Sequence, residues 1–483
     1  MRPLGTAESA AAPEAPTVLL PRVSTDPLDE LVDRVRPVLG QAVDALQVAA
    51  LLESDGCTDR AARVEYGYAD VFALAAEVFR RLGPSVHAAP EAMRRTGYRA
   101  GVLRLISLGL LYLLPSAVFP AAMALAGRRS LVLALVCESA AGWAYAGVAG
   151  HTAYRLLGSG RPGGAARVLR RAVLAAPVAG AVLGVLLIRL AGGGPALGAL
   201  VVAQLTYQLA GAVLVFYRYE LRLAAAMVPA AGAGVAYLFD PAWRDVAVGT
   251  AAAGVTVALV LAVLATRRRS TVDEAPARPV AWAAVIGVAA YGICSAAVLL
   301  HAEAPYLLGR LDIAVAVAPL ILAMGVVEWR AERFRAGAVA LTRRVRRPGA
   351  FVRRVWWLLT AELLVCLVAA AIPAAALVAG LAAAGVLSTA GLVMIAAHVG
   401  LAGAYYLAFL LAGQGRYGWL CTSMLAALAL HVGLGAWLGA APLLGRSAAP
   451  VTDTTLFLGS VLLLQALFLL GLAPRVGQIR QYR

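Results

Sequence analysis

Of the 483 residues, 61% are hydrophobic and 14% charged, and the mean hydropathy is +0.80. So little polar surface cannot cover a water-soluble globule of this size, which excludes a soluble protein and implies that most of the chain lies in a membrane. The net charge of +16 is unevenly placed: residues 1–100 hold 14 acids and 11 arginines, net −3, which leaves +19 on the remainder.

All 42 basic residues are arginine, and the chain has no lysine and no asparagine. Lysine and asparagine have A-rich codons, so this composition points to a GC-rich bacterial source and makes the arginine excess partly codon bias. Five cysteines (Cys57, Cys137, Cys294, Cys366 and Cys421) lie singly, without a CxxC pair or a nearby histidine, and are expected to act as small apolar side chains without metal or disulfide roles. No basic segment followed by an apolar core opens the chain, so the sequence predicts no cleavable signal peptide and a first hundred residues that stay in the cytoplasm.

Residues 1–24 are rich in alanine and proline and unpatterned, as in a disordered tail. Residues 25–98 are expected to form a small cytoplasmic helical module. Asp26-Pro27 offers an N-cap and a first-turn proline, and apolar residues from Leu28 to Leu46 then recur at helical spacing until Ser54-Asp55-Gly56, with Pro37 a place for a kink. A short helix from Thr58 and another from Asp70 follow, stopping at Gly83-Pro84. Two short helices around Tyr66-Gly67-Tyr68 invite a helix-turn-helix reading, but a net-acidic module lacks the electrostatic footprint of a nucleic-acid binder. Docking of a cytoplasmic protein, or regulation, is the expectation.

From Val102 onward, stretches of about 20 apolar residues, the length that crosses a bilayer, centre near Leu113, Ala141, Leu183, Leu205, Ala233, Val257, Ala290, Leu320, Val368, Ala397, Leu428 and Leu464. The predicted fold is therefore all-α and polytopic, with about twelve transmembrane helices. Every second connection collects arginine: 24 fall on one side of the membrane against six on the other (Arg128, Arg129, Arg189, Arg244, Arg310 and Arg446). By the positive-inside rule both termini are cytoplasmic. The arginine-rich stretch from Arg267 through Pro279 divides the spans into two sets of six, so residues 99–270 and 271–483 are predicted as two six-helix bundles. Outer connections are short, the longest running from about Ala441 to Asp453, with no room for an external catalytic domain.

Walker-type, HExxH, GxSxG and DxD motifs are absent, and without lysine neither a P-loop nor a Schiff base can form. No cofactor or metal is expected. The informative residues are ionisable ones in or beside the spans, where lipid burial costs several kcal/mol. Glu138 lies in the second span and Arg104 begins the first. His301 and Glu303 end the seventh span, and Arg310 and Asp312 begin the eighth. Glu362, His398 and His431 lie in the ninth, tenth and eleventh. Arg104, Glu303, Arg310 and Asp312 are near enough to span ends to snorkel to the interface, whereas Glu138 and Glu362 sit about two turns inside. Gln204, Tyr207 and Gln208 share one face of the fourth span, as helix glue or as a polar lining. The segment Arg330 to Arg354 mixes Phe334 and Phe351 with arginine and runs into Trp356-Trp357, the pattern of a surface helix on anionic headgroups or of a simple topology signal.

After the second span the chain reads Ala153-Tyr154-Arg155-Leu156-Leu157-Gly158-Ser159-Gly160-Arg161-Pro162, then a basic helix through Arg167, Arg170 and Arg171. This resembles the segment after the second helix in the superfamily of multidrug-extrusion transporters and lipid-linked oligosaccharide flippases, whose twelve-span, six-plus-six layout is similar to that of residues 100–483. Met324 to Ala336 loosely resembles the corresponding region of Pel-type exopolysaccharide transporters of that superfamily. The resemblance implies alternating access between two bundles, around a cavity walled by spans one, two, seven and eight. Arg104, Glu138, His301, Glu303, Arg310 and Asp312 fall on those spans and are the candidate cavity residues for substrate or ion.

An arginine-bearing cavity suits an anionic pyrophosphate-linked or uronic-acid glycan, since arginine grips phosphate or carboxylate through two parallel bonds. The expected function is export or flipping of a polysaccharide or lipid-linked glycan in a bacterial inner membrane, without enzymatic activity. Its expected partners are the glycan and membrane lipids, and no nucleic acid. A scaffold subunit of a polysaccharide-synthesis complex, or an embedded glycosyltransferase or polymerase, is the alternative.

Overall fold

The structure, a computed structural model, describes residues 26–39, 44–82, 111, 114–126, 128–192, 194–267, 281–307, 309–345, 347–440 and 447–482. The N-terminal tail, Arg104, most of the first expected span and the stretch 268–280 lie outside the described residues. The chain divides into two compact units, residues 1–98 and 99–483.

In the first unit, α1 (Pro27–Leu39), α2 (Ala45–Ser54), α3 (Asp59–Glu65) and α4 (Val71–Leu82) enclose an apolar core of Leu28, Leu31, Val32, Val35, Val48, Leu52, Leu74 and Val78. The sequence pattern predicts one helix from Pro27 to Ser54. Two form instead, because Asp44 restarts the chain as an N-cap whose side chain accepts a 2.9 Å hydrogen bond from Gln47 N. Thr58 caps α3 and the Asp70 carboxylate accepts from Ala73 N, as the spacing predicts. Arg81 on α4 ties the ends together, reaching Asp26 and Asp29 at 2.7 Å and Glu77 at 3.0 Å.

The second unit is all α-helix and polytopic. It contains α5 (Phe119–Ala126), α6 (Arg128–Gly158), α7 (Pro162–Ala191), α8 (Gly194–Phe216), α9 (Glu220–Phe239), α10 (Arg244–Arg267), α11 (Trp282–Glu303), α12 (Leu311–Ala314), α13 (Ala318–Arg344), α14 (Pro348–Ala383), α15 (Thr389–Gly413), α16 (Tyr417–Trp437) and α17 (Pro450–Val476). Counting α12 with α13, eleven segments among the described residues are long and apolar enough to cross a membrane. They coincide with the second to twelfth expected spans. Their outer faces are apolar, as on α7 where Leu174, Val178, Val182 and Val185 are half or more exposed, which suits hydrocarbon and not water.

Two large apolar cores fill this unit. One draws on residues 111–262 and the other on residues 294–476. They meet where α6 packs on α11. A Cβ on Gly292 of α11 would lie 2.8 Å from Ala144 N on α6, so the helices cross at backbone contact, as small residues allow in membranes. His151 of α6 and Tyr291 of α11 both face the ring of Tyr417 on α16, at 6.4 and 6.5 Å between centroids.

The basic segment Arg330 to Arg354 is not a separate surface helix. It continues α13 to Arg344 and then begins α14 at Pro348, so that the two long helices form an extended hairpin. Glu362 holds this hairpin together, accepting from Arg330 at 2.9 Å and facing Arg333 at 3.5 Å. The guanidinium of Arg330 also stacks on Trp329, 4.5 Å from the ring centre. Glu362 is thus neutralised within its own bundle.

Candidate functional site

One end of the second core gathers residues from four helices and a turn. Glu303 is the last residue of α11, Tyr306 lies in the turn after it, His431 is two turns from the end of α16, and Asp453 is in the first turn of α17. His398 sits on α15 about 15 Å along the axis from its cap, at 1.5 Å per residue. These chain positions fall at the same end because α11 and α16 finish where α15 and α17 begin.

The Glu303 carboxylate faces His398 with 3.0 Å between Oε1 and Nε2, an ion-pair distance, though the two are not aligned as a hydrogen bond. Both side chains are buried. His398 Nδ1 lies 2.8 Å from the Met394 carbonyl, which can only accept, so Nδ1 donates there. Nε2 is then the ring atom turned toward the Glu303 carboxyl group.

A second set lies beside it. Asp453, also buried, accepts from Tyr306 OH through one oxygen and lies 2.9 Å from His431 Nε2 through the other. The His301 ring meets His431 edge to face at 5.5 Å. Phe457 separates the two sets, 5.8 Å from His398 and 5.6 Å from His431. Buried acids and imidazoles in contact have the chemistry to share a proton without exposing a charge to hydrocarbon.

Arg310 and Asp312 come together in a different role. Ser388 caps α15, and its hydroxyl and backbone N–H both donate to Asp312 Oδ2, the latter at 3.1 Å. Arg310 donates to Ser388 Oγ at 2.7 Å and lies 3.5 Å from Asp312 Oδ1. A Cβ on Gly391 would come within 2.4 Å of Asp312 Oδ2, so glycine there admits the carboxylate to the helix start, where the dipole favours negative charge. Asp312 and Arg310 latch the α12 turn to α15.

Glu138 stands apart from these groups. On α6 it turns toward α8, beside a small void lined by Ala134, Leu135, Leu200, Val201 and Gln204. One turn on, Gly142 makes room for the Gln208 amide. Both Glu138 oxygens and Gln208 Oε1 are buried without a hydrogen-bond partner among the described residues. The polar stripe of the fourth span therefore faces the carboxylate of the second.

Of the six expected cavity residues, the structure brings Arg310 to Asp312, sets Glu303 on His398 and His301 on His431, and leaves Glu138 beside a small separate apolar cluster around Ala134 and Val201. Arg104 lies outside the described residues. Sequence reasoning did not single out Tyr306, and it assigned Asp453 to the end of an outer loop. The available signal was an acid four residues into the otherwise apolar run that begins at Pro450. Comparison of the chain with protein-family models, curated proteins and solved structures finds no match.

Proposed function

We propose that this protein is a bacterial inner-membrane transporter that works by alternating access of two helical bundles, and that it exports or flips an anionic glycan or lipid-linked saccharide. The observation that carries the reading is the pair of separate apolar cores meeting at the small-residue crossing of α6 on α11. Two internally packed bodies with one close seam can rock on it, whereas a single continuous core would resist. The protonatable groups around His398 and His431 supply a route for coupling to a proton gradient. The glycan cargo rests on the family resemblance of the sequence and on the arginine-rich character of the membrane part.

Mass analysis of lipid-linked and exported glycans in a strain lacking the protein tests this reading. The expected result is accumulation of a lipid-linked saccharide with loss of its exported product, restored by the wild-type chain. Unchanged glycan profiles overturn it. The scaffold reading is favoured by one feature, an N-terminal unit with its own core suited to recruiting a partner. In that case synthesis of the saccharide itself falls and no intermediate accumulates.

A further inference from the structure

Six helix ends among the described residues close in the same way, with the N–H after a left-handed residue donating to the carbonyl five positions back. Gly56, Gly160, Gly385, Gly415 and Gly439 fill the left-handed position in five of them. The sixth, between α8 and α9, has Arg218 there at φ +61°, the one non-glycine residue with positive φ among those described. An L side chain in this conformation is strained, and a backbone held against its preference points to a role for the side chain. Arg218 is exposed.

Arg222 follows one turn into α9. It is also exposed, its guanidinium lies 4.4 Å from the centre of the Tyr219 ring, and it forms no ion pair among the described residues. Glu220, the acid of this turn, is buried. Arg222 stands at one end of a groove of about 460 Å3 between α9 and α10, whose walls include Ala226, Pro229, Ala253, Gly254 and Leu261. Gly254 keeps the groove narrow at its base, since a Cβ there would come within 2.6 Å of the Ala226 carbonyl. The Thr250 hydroxyl at the far end is spent on its own helix, 2.7 Å from the Val246 carbonyl.

We propose that this groove holds an acyl chain of an anionic phospholipid whose headgroup phosphate is gripped by Arg218 and Arg222. Charge complementarity selects the occupant. An apolar slot on a hydrocarbon-facing surface takes a chain, and the Arg222 guanidinium at its end, with the exposed Arg218 four residues before it, takes an anion through parallel N–H donors. The turn belongs to the arginine-rich side of the membrane, where anionic headgroups and positive-inside connections meet. The inference is independent of the cargo proposed above.

Native mass spectrometry of the full-length protein, with added dioleoyl phosphatidylglycerol or dioleoyl phosphatidylcholine, tests it. The wild type is expected to retain one phosphatidylglycerol per chain under conditions that strip phosphatidylcholine. The double variant Arg218→Gly, Arg222→Gln is expected to lower occupancy of that lipid at least fivefold, and Arg218→Gly installs the residue the other five caps use, so the fold is kept. Ala253→Phe, which fills the groove and leaves both arginines, is expected to lower it as well. Wild-type retention by the double variant overturns the proposal. So does equal retention of the two lipids, displacement by an equal concentration of inorganic phosphate, or an equal loss in Arg343→Gln, Arg344→Gln, which changes exposed arginines at another connection.

Discussion

Glu303 and His398 face each other at 3.0 Å inside the second core, one from the last residue of α11 and the other from deep in α15, and neither reaches the surface. Removing one member of a buried pair strands the other, at a cost of about 3–5 kcal/mol for a charged partner. His398→Ala is therefore expected to lower thermal stability in detergent markedly. Glu303→Gln, which keeps the shape and offers an N–H to a neutral imidazole, should cost less. A His398→Ala protein as stable as the wild type would show that no proton or charge is held there.

Glu138 presents the opposite case, a buried carboxyl without a described partner beside Gln204. Glu138→Leu removes a stranded polar group and is expected to stabilise the protein by about 1–3 kcal/mol. If the carboxyl serves ion coupling or cargo binding, the same variant and Glu138→Gln should abolish glycan export at normal membrane abundance. Full export by both reduces Glu138 to a packing residue.

Gly292 and Gly147 sit on opposite sides of the α6–α11 seam with unequal room. A Cβ on Gly292 meets the backbone of Trp143 and Ala144 at 2.8–2.9 Å, whereas one on Gly147 meets only a methyl of Val288 at 3.3 Å. Backbone cannot yield as a side-chain tip can, so Gly292→Ala is expected to destabilise by about 1–3 kcal/mol, the usual cost of overpacking. Gly147→Ala should be close to neutral. Thermal unfolding of the two variants side by side tests the contrast.

The N-terminal unit has an acid-sensitive fastening. Hydrogen bonds from Arg80 and Arg81 hold the Glu77 carboxyl at a pKa of about 2, below the ordinary 4.5. The Asp26 carboxyl is lowered too, chiefly by its hydrogen bond from Arg81. A depressed carboxylate pKa contributes stability that is full above the unfolded value and is lost as pH falls toward the folded value. A fragment of residues 1–98 should thus be soluble and helical by circular dichroism, and should lose stability between about pH 4.5 and 2. Glu77→Gln should flatten that loss, and the fragment should not bind duplex DNA.

The arginine asymmetry predicts sidedness. In a background without native cysteines, single cysteines beside Arg161 and Arg347 should be shielded from an impermeant thiol reagent in intact cells, and ones beside Gly309 and Ala448 should be labelled. The reverse pattern inverts the topology and places the His398 end of the bundle inside.

Much of the architecture was written in the sequence by itself. Runs of about 20 apolar residues cannot rest in water, so eleven spans are legible from composition along the chain, and caps such as Thr58 and Asp70 mark helix starts because they satisfy local N–H groups. Local rules failed at Pro27–Ser54, where periodicity continues through a break that Asp44 caps, and at Arg330–Arg354, where the basic segment belongs to the end of α13 and the start of α14. The site was legible only as isolated ionisable residues, each costly in lipid. Which of them are paired was decided by tertiary structure, because Glu303 and His398 are 95 positions apart and Tyr306 and Asp453 are 147 apart. Helical periodicity carries no information on which faces of distant helices meet. Packing alone set Asp312 on the start of α15, Glu362 on Arg330 and Glu138 against α8.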